Sequence, residues 1–169
     1  MVQNFSCTPC QLLGKYVSGT LNWVGYKGHI GSTEYVILSF DMEKETYQEV
    51  LLPQNVGDDY VCRPLLYVLS NCLCVCFVNE TNFVVWLMKE YGVVDSWTKL
   101  TIIPREKFFS DSFMDMLFIS ENGVILMKTL SSQLVLYNIN SGGLDYPFTS
   151  NVRVSDLHIY HETLISPQW

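Results

Sequence analysis

The sequence predicts an all-β chain built from tandem four-stranded antiparallel units, and three observations predict it. The first is the stretch 83–104, FVVWLMKEYGVVDSWTKLTIIP. Its run 83–88 is β-branched and aromatic, which at this length favours a buried strand over a helix. A polar, glycine-containing segment, 89–95, then reverses the chain, and 96–103 runs back to Pro104, which cannot donate to a ladder. The pattern is a β-hairpin with a seven-residue loop. The second observation is the same pattern one unit earlier, with a strand at 35–41, a turn at 42–45 and a strand at 46–52 that stops at Pro53. The third is a shared period. Gly19, Asn71 and Asn122 lie 52 and 51 positions apart, Tyr47, Trp97 and Tyr146 lie 50 and 49 apart, and Pro53 and Pro104 lie 51 apart. Any all-β chain has loosely regular turns; turn, aromatic and proline markers that agree in phase indicate a true repeat.

A period of about 50 residues is that of kelch-type propeller blades. It divides one domain into about three propeller-like units, at about 14–53, 64–104 and 116–150, followed by a terminal strand at 156–167. A closed propeller needs roughly four to eight blades, so three units predict an incomplete propeller with open edges. In chain order, 16–24 is a strand broken at Gly19 by a turn or bulge, and 26–32 is a glycine-rich loop. The hairpin 35–52 follows. Residues 65–69 and 72–78 are strands joined at Ser70-Asn71, and 79–82 turns into the central hairpin. The connection 105–115 mixes charge with Phe108, Phe109 and Phe113. Then come 116–119, a hairpin turn marked by Asn122-Gly123, the strands 124–128 and 133–139, a turn at 140–144 and the last strand at 157–160. The best helical candidate, 85–91, lacks an N-cap and length and is read as strand. Trp23, Trp86 and Trp97 are expected in the core.

Composition bounds the function. A length of 169 residues with 49% hydrophobic content suits one domain with a real core. Ten basic against 17 acidic residues, a net charge of −7, leave no clustered cations for phosphate, which argues against nucleic acid. The charged fraction of 16% is below the ~25–35% suited to a solvated surface, so part of the surface is expected to be covered by a partner or by further protein. No apolar run reaches the ~18–20 residues of a spanning helix, and 1–10 lacks the charged and apolar regions of a signal peptide. The expectation is an intracellular protein, in cytoplasm or nucleus, that does not cross a membrane.

Cys72, Cys74 and Cys76 alternate on one face of a strand, where neighbours cannot easily bridge, and are read as small buried hydrophobes. Cys7-Thr8-Pro9-Cys10 has redox or metal spacing, but no second pair and no following helical pattern completes such a site. The triplets at Asn4 and Asn79 would accept glycans only in a secreted protein. His29, His158 and His161 form no helical metal-binding spacing, Asp58 and Asp59 are adjacent and point to opposite faces when extended, and no nucleophile elbow or phosphate loop occurs. No catalytic residue, cofactor or metal ligand is expected. Binding has candidates in three loops: Tyr26, Lys27 and His29; Asp58, Asp59 and Tyr60; Arg105, Lys107, Phe108 and Phe109. Aromatics and arginine are the types that dominate interface hot spots; the same aromatics could instead fill the space between units.

Several stretches resemble a known family. Trp86-Leu87-Met88-Lys89-Glu90-Tyr91-Gly92-Val93 followed by Ser96-Trp97-Thr98-Lys99-Leu100 is similar to the most recognisable motif of the F-box-associated domain of plant F-box and F-box/kelch-repeat proteins. Ser18-Gly19-Thr20-Leu21-Asn22-Trp23, the pair Ile37-Leu38-Ser39-Phe40-Asp41 and Tyr47-Gln48-Glu49-Val50-Leu51-Leu52-Pro53, the piece Leu69-Ser70-Asn71-Cys72-Leu73-Cys74 and the terminal Glu162-Thr163-Leu164-Ile165-Ser166-Pro167 resemble it in the same order. The resemblance implies a non-catalytic protein-recognition module, the substrate-binding part of an SCF-type ubiquitin ligase receptor. It implies a protein substrate as partner and Skp1 as a second partner, held through an F-box. These 169 residues contain no F-box, so Skp1 binding falls on none of them. The alternatives are a carbohydrate- or small-molecule-binding propeller, or a truncated copy without ligase function.

Overall fold

The structure is a computed structural model, and it describes residues 7–10, 13–28, 34–54, 63–108 and 114–147. The strand expected at 156–167 lies outside the described residues. Thirteen strands are present among them: β1 Cys7–Pro9, β2 Lys15–Val17, β3 Thr20–Lys27, β4 Tyr35–Asp41, β5 Thr46–Val50, β6 Leu65–Leu69, β7 Cys72–Val78, β8 Asn82–Met88, β9 Trp97–Pro104, β10 Met114–Ile119, β11 Val124–Thr129, β12 Leu134–Asn138 and β13 Leu144–Asp145. Two short 3-10 turns, Val94–Ser96 and Arg105–Lys107, are the only helical pieces described. No described helix is long and apolar enough to cross a membrane.

The strands form three antiparallel sheets, in the orders β1-β3-β4-β5, β6-β7-β8-β9 and β10-β11-β12-β13, with β2 also on β3. β2 pairs with Thr20–Asn22 and β1 with Gly25–Lys27, so the two share one edge and the first sheet is four strands wide. No alternation in Cys7–Pro9 announces β1; its place is set by Gly25, against which Cys7 packs so closely that a Cβ there would lie 2.2 Å from the Cys7 sulfur. The fold class read from the repeat is the one observed, three propeller-like sheets.

The sheets stack face to face, and β7 shows why. Its residues are buried on both faces. Leu73, Val75 and Phe77 pack with Val17, Val24, Ile37 and Val50 of the first sheet. Cys74, Cys76 and Val78 pack with Met116, Ile125, Met127 and Val135 of the third. Cys74 and Cys76 therefore serve as small core residues, whereas Cys72, expected with them, is only partly buried at the start of the strand; each large aliphatic side chain buried this way contributes about 1.5–3 kcal/mol. β6 lies beside β2 on one side and β10 on the other. The Lys15 ammonium sits 5.8 Å from the Tyr67 ring centre, and the Ser70 hydroxyl donates to the Ile119 carbonyl at 3.4 Å. The inner strands thus run in one direction, with β5, β9 and β13 on the outside.

Turn chemistry repeats only in part. Ser18 and Gly19, and Ser70 and Asn71, all have positive φ (49°, 76°, 48° and 58°), the two-residue hairpin geometry that matches strand twist. At the third unit only Gly123 is left-handed, and its N–H donates to the Ser120 carbonyl at 3.0 Å. That is a turn with a bulge, in which Asn122 has an ordinary φ. In the central hairpin the strands end at Met88 and resume at Trp97, so the loop is one residue longer than expected and contains the first 3-10 turn.

The tryptophans require a correction. Trp97 is buried, whereas Trp23 and Trp86 are only partly so. Thr20, Asn22 and Val24 face the second sheet, which puts Trp23 on the outer face, lying on Gly14. Trp86, at a register shift between β8 and β9, is partly buried yet packs against the core shared by the first two sheets, with the Lys99 ammonium 5.1 Å from its ring centre.

Candidate functional site

Antiparallel connectivity decides which residues can share a surface. The β2–β3, β6–β7 and β10–β11 turns lie at one end of the inner strands. The β3–β4, β5–β6, β9–β10 and β11–β12 connections leave from the other. The three loops singled out in the sequence all belong to this second set.

Five of their residues are described, and the fold itself engages most of them. Tyr26 is half-buried in the β3 ladder opposite Tyr35. Lys27 has its ammonium 2.6 Å from the Glu49 carboxylate and 3.9 Å from that of Glu34. The hydrogen bond to Glu49 raises its pKa. Arg105 donates to the carbonyls of Asn79 at 2.8 Å and Glu80 at 3.4 Å, with its guanidinium 5.8 Å from the Phe83 ring centre. Lys107 donates to the Gly142 carbonyl and lies over the Tyr137 ring. Phe108 takes the space-filling alternative that the sequence left open: it is 6% exposed, edge-on to Phe83 with ring centres 6.0 Å apart. The connection 105–108 crosses from the outer strand of the second sheet toward the third over their common core, which draws its aromatic ring inward and turns its cations to neighbouring carbonyls. Arg105, Lys107 and Phe108 therefore help to brace the fold. His29, Asp58, Asp59, Tyr60 and Phe109 lie outside the described residues.

Residues that the sequence did not single out form a cleft at this same end. Leu65 and Tyr67 of β6 face Asp115 at the start of β10 and Lys128, Thr129, Leu130 and Ser132 at the β11–β12 turn, around a volume of about 270 Å³. Asp115 and Lys128 are ladder partners. The turn is well braced: the Ser132 N–H donates to the Thr129 carbonyl at 3.0 Å, the Gln133 N–H to the Thr129 hydroxyl at 3.2 Å, and the Thr129 and Ser131 hydroxyls meet at 2.9 Å. A lone leucine on a polar turn, Leu130, was the available signal, and it carries no periodicity. Among the described residues one carboxylate lines the cleft, which gives no paired acid and base among them. Among the described residues no group of three or more His, Cys, Asp or Glu side chains could hold a metal. Burial pushes the Cys7 and Cys10 thiols up, the reverse of an activated Cys-x-x-Cys pair.

The sequence also missed what holds the first two sheets together. Tyr91, in the β8–β9 loop, reaches across to the first sheet. Its hydroxyl donates to Asn22 Oδ1 at 2.7 Å and meets the Ser39 and Thr20 hydroxyls at 2.6 and 2.8 Å. Asn22 and Ser39 are completely buried, so Tyr91 completes a polar cluster that would otherwise be incompletely bonded. From the other side of the same loop, Trp97 Nε1 donates to the Leu51 carbonyl at 3.0 Å. The loop that is most distinctive as a motif is an inter-sheet clasp.

Comparison with known proteins agrees with this architecture. A family described as "F-box associated beta propeller domain" matches residues 2–161. F-box/kelch-repeat protein At3g23880 of Arabidopsis thaliana is 36% identical over 157 residues, covering 91% of this chain and 40% of that protein. F-box protein CPR1 of the same plant is 30% identical over 125 residues, covering 72% of this chain and 29% of that protein. The chain thus spans less than half the length of these relatives. With the match across nearly its whole length and three stacked four-stranded sheets beneath it, the chain belongs to the F-box associated beta propeller domain family.

Proposed function

We propose that the chain is a non-catalytic protein-recognition module, the part of an SCF-type ubiquitin ligase receptor that holds the protein to be ubiquitinated. The observation that carries this is the family match over residues 2–161, since the relatives found are F-box proteins. The site chemistry agrees: among the described residues the cleft at the connection-rich end has a single carboxylate and a mixed apolar and polar lining, which suits binding better than catalysis. Skp1 would be engaged by an F-box segment rather than by these residues, and the role places the protein in cytoplasm or nucleus. The test has two stages. Tagged chain is used to capture proteins from plant extract. Joined behind a Skp1-binding segment, it is then reconstituted with Skp1 and the ubiquitin-transfer enzymes. Ubiquitin chains on a captured protein, absent when this chain is left out, are the expected result. Binding on a glycan array with no captured protein ubiquitinated would overturn it in favour of carbohydrate recognition.

A further inference from the structure

We infer that the cleft between β6 and the β11–β12 turn takes one bulky apolar side chain of an extended, uncharged peptide segment; this names the target class for the recognition role proposed above and rests on it. Size decides first. At about 270 Å³ the space falls below the ~300–1,000 Å³ of sites for drug-sized ligands and cofactors, yet it suffices for one leucine- or phenylalanine-sized side chain. The lining then sets the chemistry. Leu65 and the exposed Leu130 supply apolar contact above the buried Tyr67 ring, while Asp115, Lys128 and Ser132 supply polar groups at the edges. Among the described lining residues one carboxylate and one ammonium balance, which leaves no net charge there to recruit an anion or a cation. A peptide main chain, which carries one donor and one acceptor per residue, is complementary to such a mixture.

Preorganisation favours the same occupant. Leu130 is 62% exposed on a turn whose hydroxyl and backbone bonds fix its position, so little freedom is lost when a partner packs on it. The opposite wall, Leu65 and Tyr67, belongs to the middle sheet, whose side chains are held by the core on both faces. A braced cleft with an apolar side and polar edges recognises an anchor residue and its flanking amides.

The inference is tested by selecting a random-peptide display library against the full chain and measuring affinities of the enriched peptides for the parent, Leu130→Glu and Met42→Glu. Met42 is an exposed apolar residue in the β4–β5 turn, at the opposite end. Thermal melting of each variant confirms that it is folded. Enriched peptides should share one large apolar position among uncharged neighbours, bind Leu130→Glu at least about tenfold more weakly and bind Met42→Glu as they bind the parent. The inference is overturned by peptides selected on a charged motif, by affinities indifferent to Leu130→Glu, or by no enrichment against chain that melts normally. Each of these leaves the capture and ubiquitination experiment to decide target recognition on its own result.

Discussion

At the scale of single residues, the strongest constraints fall on polar groups that burial has committed to partners. The Tyr91 hydroxyl is the hub of one such set, bonded to Asn22, Ser39 and Thr20 of another sheet. Tyr91→Phe keeps the ring and strands the Asn22 acceptor in a fully buried site. A buried group left unsatisfied costs about 1–3 kcal/mol, so chemical denaturation should show a loss of that size, and none in Tyr91→Phe made together with apolar replacements of Asn22 and Ser39 relative to those replacements alone. Cys74 makes a second residue-scale test. Burial is the largest cause that pushes its thiol up, with Cys72 adding to it. A raised folded pKa means that the neutral thiol is the form the fold favours. Its contribution to stability is fully present below the ordinary value of 9.0 and is lost as pH rises above it. In alkylation at pH 8 followed by mass spectrometry, Cys74 should remain unmodified in folded chain and react at once in denaturant; rapid labelling of the folded chain would contradict its place in the core.

At the scale of elements, the ladders follow from local chemistry, and so does most of what the sequence made legible. The runs 35–41, 65–69 and 72–78 are short, largely apolar, contain β-branched and aromatic residues and lie beside turn residues, and each is a strand in the structure. Ser18-Gly19 and Ser70-Asn71 mark the inner hairpins because both positions must be left-handed. What stayed hidden depends on partners far along the chain. Phe108 looks like a surface anchor until Phe83 is seen beside it, and the cleft joins residues 65 and 67 to residues 115–132, with no spacing to advertise it. β1 is of the same kind, since its docking is decided by the missing side chain at Gly25. Gly25→Ala would bring a Cβ to 2.2 Å from Cys7 Sγ and 3.1 Å from the Thr8 carbonyl. Overpacking of this sort costs about 1–3 kcal/mol, and here the three-residue β1 is the cheapest element to displace. The variant should melt lower and expose Cys7 to alkylation, while Cys7→Ala in the same background should restore part of the loss. Unchanged Cys7 reactivity would mean that β1 accommodates the methyl in place.

At the scale of the whole molecule, the question is whether three sheets of a repeat behave as three units or as one. In stacked repeats, stability is a sum of unit and interface contributions, and a weak interface lets units melt separately. The interfaces here are not weak. β7 gives one face to each core, Tyr91 and Trp97 clasp the first sheet, and Lys107 ties the connection after β9 to the β12–β13 turn of the third. Ile37 and Ile125 are fully buried in different cores, one on each side of the middle sheet. Truncation of either to alanine should cost about 2–5 kcal/mol, and the shared middle sheet should carry that loss to all three. Calorimetry of Ile37→Ala and of Ile125→Ala should therefore show one transition shifted down, with hydrogen exchange slowest at β7 in both. The outermost β5, largely solvent-exposed, should exchange fastest. Two transitions in either variant, with the far sheet still melting at the parent temperature, would show that the clasp does not couple the sheets and that each is a separate repeat.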